Sequence, residues 1–221
     1  MNNLFFPRIF HRIWLGKKSM PGEFVEYGNT WLKHHPNWQM WLWNDHNIIP
    51  LQNQQVYGTA SSVVQKVDIA RYEILYNFGG IYIDCDFECL RNIEDLLVGV
   101  EAFAASESKG IISNGIMGCK PGHQIFKLLI DNLPCSINDH RHEHITEQVG
   151  PGYVTRLIGN RKDLMVFGPE LFYPYLWTEK HRKGEFFPNA YAVHHWAGSW
   201  LQPTALPPKK VKFRGRTRIR P

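Results

Sequence analysis

The 221-residue chain is long enough for one domain with its own hydrophobic core and too short for two full domains. With 43% hydrophobic and 20% charged residues, its composition excludes a wholly disordered protein. The net charge of +5 does not indicate a uniformly basic surface, because seven of the 25 basic residues lie in residues 209–221, which contain no acid. We therefore predict one domain over residues 1–207 and a basic, flexible tail over residues 208–221.

The N-terminus and the cysteines do not indicate export. Pro7 and Arg8 interrupt the first apolar residues too early for a signal peptide, and no apolar stretch reaches the ~20 residues that span a bilayer. The four cysteines form no C-x-x-C pair, which favours reduced thiols. We expect a cytoplasmic protein that is soluble or peripherally associated with a membrane through its basic tail.

The predicted elements at the start of the chain alternate between strand and helix. Residues 7–15 are rich in bulky residues typical of a strand, and residues 21–35 predict a helix that ends before Pro36. Residues 38–44 alternate aromatic and polar side chains and predict a second strand. This order favours an α/β fold with parallel strand pairing.

A helix is predicted from residue 61 or 62 to about residue 78, where two glycines end it. Asp68 and Arg71 share one face of this helix with Val64, Leu75 and Phe78, so two charges lie among apolar neighbours. Burying two charges costs stability unless they are paired or hold a ligand. The pattern therefore predicts a functional pair, or alternatively an i, i+3 ion pair on the helix surface.

The remaining elements follow in order along the chain. We predict a short strand at residues 81–83, a strand at 101–106, a strand or turn edge at 114–118, a helix at 122–133, loops and a helix within 138–161, and a last strand at 190–200 that runs into a turn.

Asp84 and Asp86 directly follow the predicted strand at residues 81–83. If the strand continues through them, both carboxylates share one face while Cys85 points to the other. Two close carboxylates repel each other and are best tolerated around a divalent cation, and their oxygen atoms suit Mg²⁺ or Mn²⁺. The alternative is a pair of solvated aspartates that open a turn.

A second group of candidate ligands lies at the end of the last predicted strand. One imidazole of His194 or His195 can complete a metal shell, because Mn²⁺ accepts nitrogen ligands. Either histidine can alternatively be an ordinary core or surface residue. The histidines within residues 140–144 lack a helical or strand frame, so we interpret them as part of a solvated loop.

Four segments together resemble the Asp-x-Asp sugar-transferase family, which includes yeast mannosyltransferases and bacterial capsule and lipopolysaccharide transferases, and more distantly the glucosylating domains of large clostridial toxins. The segments are residues 7–14, 67–72, 79–86 and 194–200, in the expected order. The resemblance implies a single-domain GT-A fold, in which a Rossmann-like central mixed sheet is flanked by helices.

The resemblance also implies roles for individual residues. The catalytic group comprises Asp68, Arg71, Asp84, Asp86 and Asn114, and the donor-binding group comprises Ile13, Trp14, Tyr82, Ile83, Gly198 and Trp200. A Mn²⁺ or Mg²⁺ ion is expected at Asp86 and His195, with Asp84 and His194 as the alternates.

The activity implied by the resemblance is transfer of a hexose from a UDP- or GDP-sugar to a hydroxyl of a glycan or lipid-linked saccharide, with retention of anomeric configuration. The departing phosphate would help to deprotonate the acceptor, so no protein nucleophile is assigned. The alternatives are a metal-dependent nuclease or phosphohydrolase that uses the paired aspartates and the basic tail, and a carbohydrate-binding module that uses the tryptophans. Both leave part of the motif set without a role, and no nucleic-acid partner is expected.

Overall fold

A computed structural model describes residues 4–198, and the predicted strand–helix–strand opening is confirmed. The strands are β1 (Ile9–Ile13), β2 (Gln39–Trp43), β3 (Gly80–Ile83), β4 (Phe87–Cys89), β5 (Ala102–Ser108), β6 (Ile111–Cys119), β7 (Met165–Phe167) and β8 (Ala192–His194). The helices are α1 (Gly22–His34), α2 (Gln54–Gly58), α3 (Val63–Phe78), α4 (Gln124–Asp139), α5 (Ile145–Gln148), α6 (Pro151–Ile158) and α7 (Pro169–Phe172), with 3₁₀ turns at Glu94–Leu97 and Trp177–Arg182.

The central sheet has the strand order β2-β1-β3-β6-β5-β7. β1 pairs in parallel with β2 and β3, β6 runs antiparallel between β3 and β5, and β7 is parallel to β5. The sheet is therefore mixed, as expected. β4 and β8 form a separate antiparallel pair in which Phe87 lies opposite His194. Because β4 follows β3 after a short turn, this pair lies beside the carboxyl end of β3.

Side-chain alternation in β3 connects the sheet to two hydrophobic layers. Tyr82 packs in the layer that contains the apolar residues of α3, α4 and α6, whereas Ile81 and Ile83 pack in the layer that contains Trp31 of α1 and Phe172 of α7. All three β3 side chains are buried, as expected for a strand covered on both faces. Helices on both faces of the sheet confirm the predicted α/β class.

The helix that carries Asp68 and Arg71 has the predicted limits. The Ser62 hydroxyl accepts a hydrogen bond from the Gln65 backbone N–H at its start. Gly79, with φ of 63°, ends the helix, and a Cβ there would lie 2.6 Å from Pro121. Gly80 continues with φ of 83° and passes close to the carbonyl of Ile9. The two glycines thus connect α3 directly to β3 and to the segment that follows it.

Helix α4 is longer than predicted and contains Pro134 in its interior. Proline has no N–H to donate to the carbonyl four residues earlier, which normally interrupts a helix. Here the Asn53 side-chain amide donates to that carbonyl, Ile130, at 2.9 Å. The tertiary contact explains why the helix continues to Asp139. No helix within residues 4–198 is long and apolar enough to cross a membrane.

Candidate active site

Asp84 and Asp86 lie in the turn between β3 and β4, so the prediction that both sit in an extended strand is wrong. The Asp84 N–H donates to the Gly115 carbonyl at 2.8 Å, and the Phe87 N–H returns to the Asp84 carbonyl at 3.2 Å. The buried Arg12 guanidinium donates to the Cys85 carbonyl at 2.5 Å from β1. Contacts from two neighbouring strands therefore fix the turn and direct both carboxylates to one side.

His194 of β8 faces these carboxylates. Its Nε2 lies 3.1 Å from Oδ1 of Asp86 and 3.7 Å from Oδ2 of Asp84. One ligand atom from each of the three side chains lies within 4.8 Å of the other two, and within residues 4–198 this is the one group of three or more His, Cys, Asp or Glu side chains with such spacing. Two carboxylate oxygens and an imidazole nitrogen are a ligand set that can hold a divalent cation.

The structure brings the alternate His194, and not His195, to the aspartates. His195 lies on the other face of the β4–β8 pair, where its Nε2 is 2.9 Å from Oε2 of Glu88. Consecutive residues of an extended segment point to opposite faces, so the two histidines cannot both reach one ion.

The charges of this group stabilise one another. Burial disfavours the charged form of Asp86, but the charge of His194 and hydrogen bonds from His194 and the Ala197 N–H hold the pKa of Asp86 well below its usual range. Burial likewise opposes protonation of His194, yet Asp86 and Asp84 raise its pKa to about 10. A divalent cation bound to these three side chains would take the place of the proton on Nε2 of His194.

A second network joins α3 to the aspartates. Arg71, which is 3% exposed, lies 2.6 Å from Oδ1 of Asp68 and 3.4 Å from Oδ1 of Asp84. It also donates to the Asn114 carbonyl at 2.5 Å and stacks over the Tyr82 ring at 4.3 Å from the centroid. The Asp68–Arg71 pair is therefore not the surface ion pair considered from the sequence. It is buried and connected to Asp84.

Asn114 completes this network from β6. Its side-chain amide donates to Asp68 at 2.9 Å and lies 3.0 Å from the Tyr72 hydroxyl. The Tyr82 hydroxyl donates to Oδ1 of Asp84 at 2.7 Å. The pKa of Asp68 is raised to about 7, because the effect of burial exceeds the opposite effect of the neighbouring Arg71. The structure thus brings together the five residues predicted as the catalytic group.

The predicted donor-binding residues have different surroundings. The Trp14 indole N–H donates to the Lys18 carbonyl at 2.7 Å and the ring packs against Phe24. Ile13 and Ile83 are buried in the hydrophobic layers, so their side chains do not face the aspartates. Gly198 has φ of 61° at the end of the described range, while Trp200 and the basic tail lie outside the described residues.

The remaining histidine cluster has no ligand geometry. Residues 141–144 are exposed, as expected for a solvated loop, and His140 contacts the Glu143 carboxylate at 2.9 Å. Cys85 and Cys89 are buried free thiols.

Several residues of the site carry no sequence signal of their own. A Cβ on Gly115 would lie 2.8 Å from both Oδ2 of Asp84 and the Tyr173 hydroxyl, so glycine allows these two groups to approach. The Tyr173 hydroxyl is buried and interacts with the Ser113 side chain. Burial raises the pKa of Glu107 on β5, which interacts electrostatically with His194 and Asp84. Only the position of Gly115 next to the predicted Asn114 could have indicated any of these three.

Comparisons with known proteins agree with this geometry. Residues 21–103 match a family model described as a glycosyltransferase sugar-binding region containing a DXD motif. An uncharacterized glycosyltransferase of Acanthamoeba polyphaga mimivirus is 33% identical over 144 residues, which cover 60% of this chain and 57% of that protein. Inositol phosphoceramide mannosyltransferase 3 of Schizosaccharomyces pombe is 29% identical over 153 residues, covering 66% of this chain and 42% of that protein. The chain therefore spans about half the length of these curated relatives.

A solved structure with a similar fold is that of the PaToxG glycosyltransferase. It superposes with a TM-score of 0.58 at 16% sequence identity, over 71% of this chain and 70% of that one. The expected GT-A fold is confirmed by this likeness, and the resemblance to Asp-x-Asp sugar transferases is confirmed by the family match.

Proposed function

We propose that this chain, whose residues 21–103 match the model of a DXD-containing glycosyltransferase family, transfers a hexose from a nucleotide-sugar to an acceptor hydroxyl in a divalent-metal-dependent reaction. The observation that carries this proposal is the arrangement of Asp84, Asp86 and His194 around one point, directly beside the buried network of Arg71 and Asp68. Binding of a diphosphate-linked sugar requires a cation for the diphosphate and fixed polar groups for the sugar, and these two features lie side by side here.

The donor atoms available to a cation follow from their existing hydrogen bonds. Oδ2 of Asp86 accepts the Ala197 N–H, and Oδ1 of Asp84 accepts the Tyr82 hydroxyl. We assign Oδ1 of Asp86, Oδ2 of Asp84 and Nε2 of His194 as the ligand atoms. A bound Mn²⁺ or Mg²⁺ would supply positive charge to the diphosphate oxygens as the bond to the sugar breaks.

Arg71 contributes mainly by positioning in this proposal. Two carboxylates compensate its charge and its side chain is 4% exposed, so it offers little free charge to a leaving group. It holds Asp68, Asp84 and the Asn114 carbonyl in one fixed geometry. Preorganised groups of this kind contribute to catalysis because they need not reorganise during the reaction.

The sugar would contact the polar atoms of Asp68, Asp84 and Asn114, which are carboxylates and an amide suited to sugar hydroxyls. Trp14 would contact the nucleotide base, and Ile13 and Ile83 can contribute only through their backbones because their side chains are buried. The name of the Schizosaccharomyces pombe relative supports mannose as the first hexose to test, with UDP- and GDP-sugars as donors. The acceptor is a hydroxyl of a glycan or of a lipid-linked saccharide.

Hydrolysis of sugar nucleotides in Mn²⁺ without acceptor tests the proposal directly. We expect one UDP- or GDP-hexose to be cleaved, and Asp86→Asn to reduce the rate about 100-fold or more, because the cation loses a negatively charged ligand. Asp95→Asn is the matched control, since Asp95 is exposed on the 3₁₀ turn at Glu94–Leu97. If no sugar nucleotide is bound or cleaved, the proposal is wrong. Metal-dependent cleavage of nucleic acid would instead support the nuclease alternative.

The stereochemical part of the proposal needs a separate measurement. Proton NMR of the product formed on a model glycoside should show the anomeric configuration of the donor. Inversion would contradict retention and leave the transferase assignment intact.

A further inference from the structure

We propose that His195 is a positioning residue, which fixes the metal-binding carboxylate of Asp86 through the backbone of residues 195–197. This inference rests on the proposed cation site at Asp84, Asp86 and His194. It gives the second histidine of the His194-His195 pair a role other than metal ligation.

One face and both nitrogens of the His195 ring make contacts. The ring stacks on Tyr27 at 4.4 Å between centroids with an interplanar angle of 18°. Nε2 lies 2.9 Å from Oε2 of Glu88, and Nδ1 lies 3.3 Å from the Tyr175 hydroxyl. With the proton on Nε2, the ring donates to Glu88 and accepts from Tyr175, so neither nitrogen is left for a cation.

The backbone of residues 195–197 binds Asp86 at two points. The His195 N–H donates to the Asp86 carbonyl at 3.0 Å, and the Ala197 N–H donates to Oδ2 of Asp86 at 2.8 Å. Between them, Trp196 adopts a φ of 51°, which is rare for a residue with a side chain. Its indole N–H donates to the Tyr175 carbonyl at 2.9 Å. Tyr175 therefore holds both the ring of His195 and the ring of Trp196.

The consequence for the cation site follows from these contacts. With Oδ2 of Asp86 bound to the Ala197 N–H, Oδ1 is directed to His194 at 3.1 Å. If the ring of His195 loses its contacts, the backbone of residues 195–197 loses one of its anchors, and the Asp86 carboxylate is held less firmly. Groups that orient metal ligands in this way commonly contribute about 10–100-fold to metal affinity.

Mn²⁺ titration of the full chain, by calorimetry or by the electron paramagnetic resonance of free Mn²⁺, tests the inference without requiring activity. His195→Phe retains the stacking on Tyr27 and removes both ring hydrogen bonds. Glu88→Gln weakens the same contact from a side chain that is 35% exposed, and is therefore the variant more certain to fold. We expect the dissociation constant for Mn²⁺ to rise about 10–100-fold in His195→Phe and by a smaller factor in Glu88→Gln.

The matched control is His35→Phe. His35 is buried like His195, contacts the Trp31 carbonyl at 2.9 Å, accepts from the Ile93 N–H at 3.0 Å and stacks on Trp31. The His35→Phe variant should lose stability to a similar degree as His195→Phe and keep the Mn²⁺ affinity of the wild type.

Three outcomes would overturn the inference. In the first, the Mn²⁺ affinity of both His195→Phe and Glu88→Gln stays within about twofold of wild type. In the second, His195→Phe abolishes binding as completely as Asp86→Asn, which would make His195 a ligand. In the third, the wild-type chain binds no Mn²⁺. A chain that binds Mn²⁺ but cleaves no sugar nucleotide would contradict the proposed reaction and leave this inference standing.

Discussion

Replacement of Gly115 by alanine should disturb the proposed active site without removing any functional group. The new Cβ would lie 2.8 Å from Oδ2 of Asp84 and 2.8 Å from the Tyr173 hydroxyl, whereas ordinary van der Waals contact begins at 3.4 Å. The neighbours must therefore retreat by roughly 0.6 Å. Asp84 is the proposed metal ligand of the two, so its oxygen would leave the position proposed for metal binding. A misplacement near 1 Å can cost about 100-fold in rate, and we expect a loss of about 10–100-fold in donor hydrolysis.

The assay combines donor hydrolysis in Mn²⁺, Mn²⁺ titration and urea denaturation. Gly118→Ala is the control, because it lies on the same strand and its Cβ would meet Phe103 at 2.5 Å, away from the carboxylates. Both variants should lose about 1–3 kcal/mol of unfolding free energy through overpacking. Only Gly115→Ala should also weaken Mn²⁺ binding and slow hydrolysis. Equal losses of activity in both variants, or none in Gly115→Ala, would refute the reasoning.

Three further predictions concern the buried charges and the tail. Arg71→Met should lower the free energy of unfolding in urea by about 3–5 kcal/mol because Asp68 then stays buried without its partner; adding Asp68→Asn should restore part of this loss, and strictly additive costs would contradict the pairing. Burial lowers the pKa of His11 to about 4, although its bond to the Gly79 carbonyl raises it. In the unfolded chain this histidine has its ordinary pKa of 6.5, so between pH 6.5 and pH 4 the unfolded chain binds a proton that the folded chain does not. The free energy of unfolding therefore falls as the pH falls through this window. Between pH 7 and pH 5 the wild type should lose about 2 kcal/mol relative to His11→Gln, whereas parallel stability curves would exclude a buried neutral imidazole. Deleting residues 209–221 should weaken association with anionic liposomes at low salt, and unchanged association would exclude a membrane role for the tail.

The helical part of the site could be predicted because its signal is local. Asp68 and Arg71 lie at helical spacing among apolar residues, and this spacing predicts that both face the apolar side of the helix. What the period cannot show is the partner of each charge. Arg71 reaches Asp84 and Asn114 on two other elements, and these contacts depend on the strand order of the sheet.

The two aspartates were correctly predicted to converge, but for a different reason from the one proposed from the sequence. Their convergence depends on a turn that Arg12 holds through the Cys85 carbonyl. Gly28 on α1 makes room for this guanidinium, since a Cβ there would lie 2.2 Å from its Nη1. Neither Arg12 nor Gly28 belongs to a local pattern that indicates a role, because the contact joins residues 73 positions apart.

The choice between His194 and His195 depended on a strand that the sequence did not reveal. β4 is three residues long, too short for alternation to be recognised, and it pairs with β8 across about a hundred residues of chain. Once that register is known, His194 lies opposite Phe87, and the two side chains share a face with ring centroids 4.8 Å apart. That face is the one on which Asp86 lies, whereas Glu88 and His195 share the other. Two adjacent histidines thus meet different carboxylates because a strand has two sides. In the proposed site, His194 would bind a cation together with two aspartates, and His195 would hold the backbone that orients one of them.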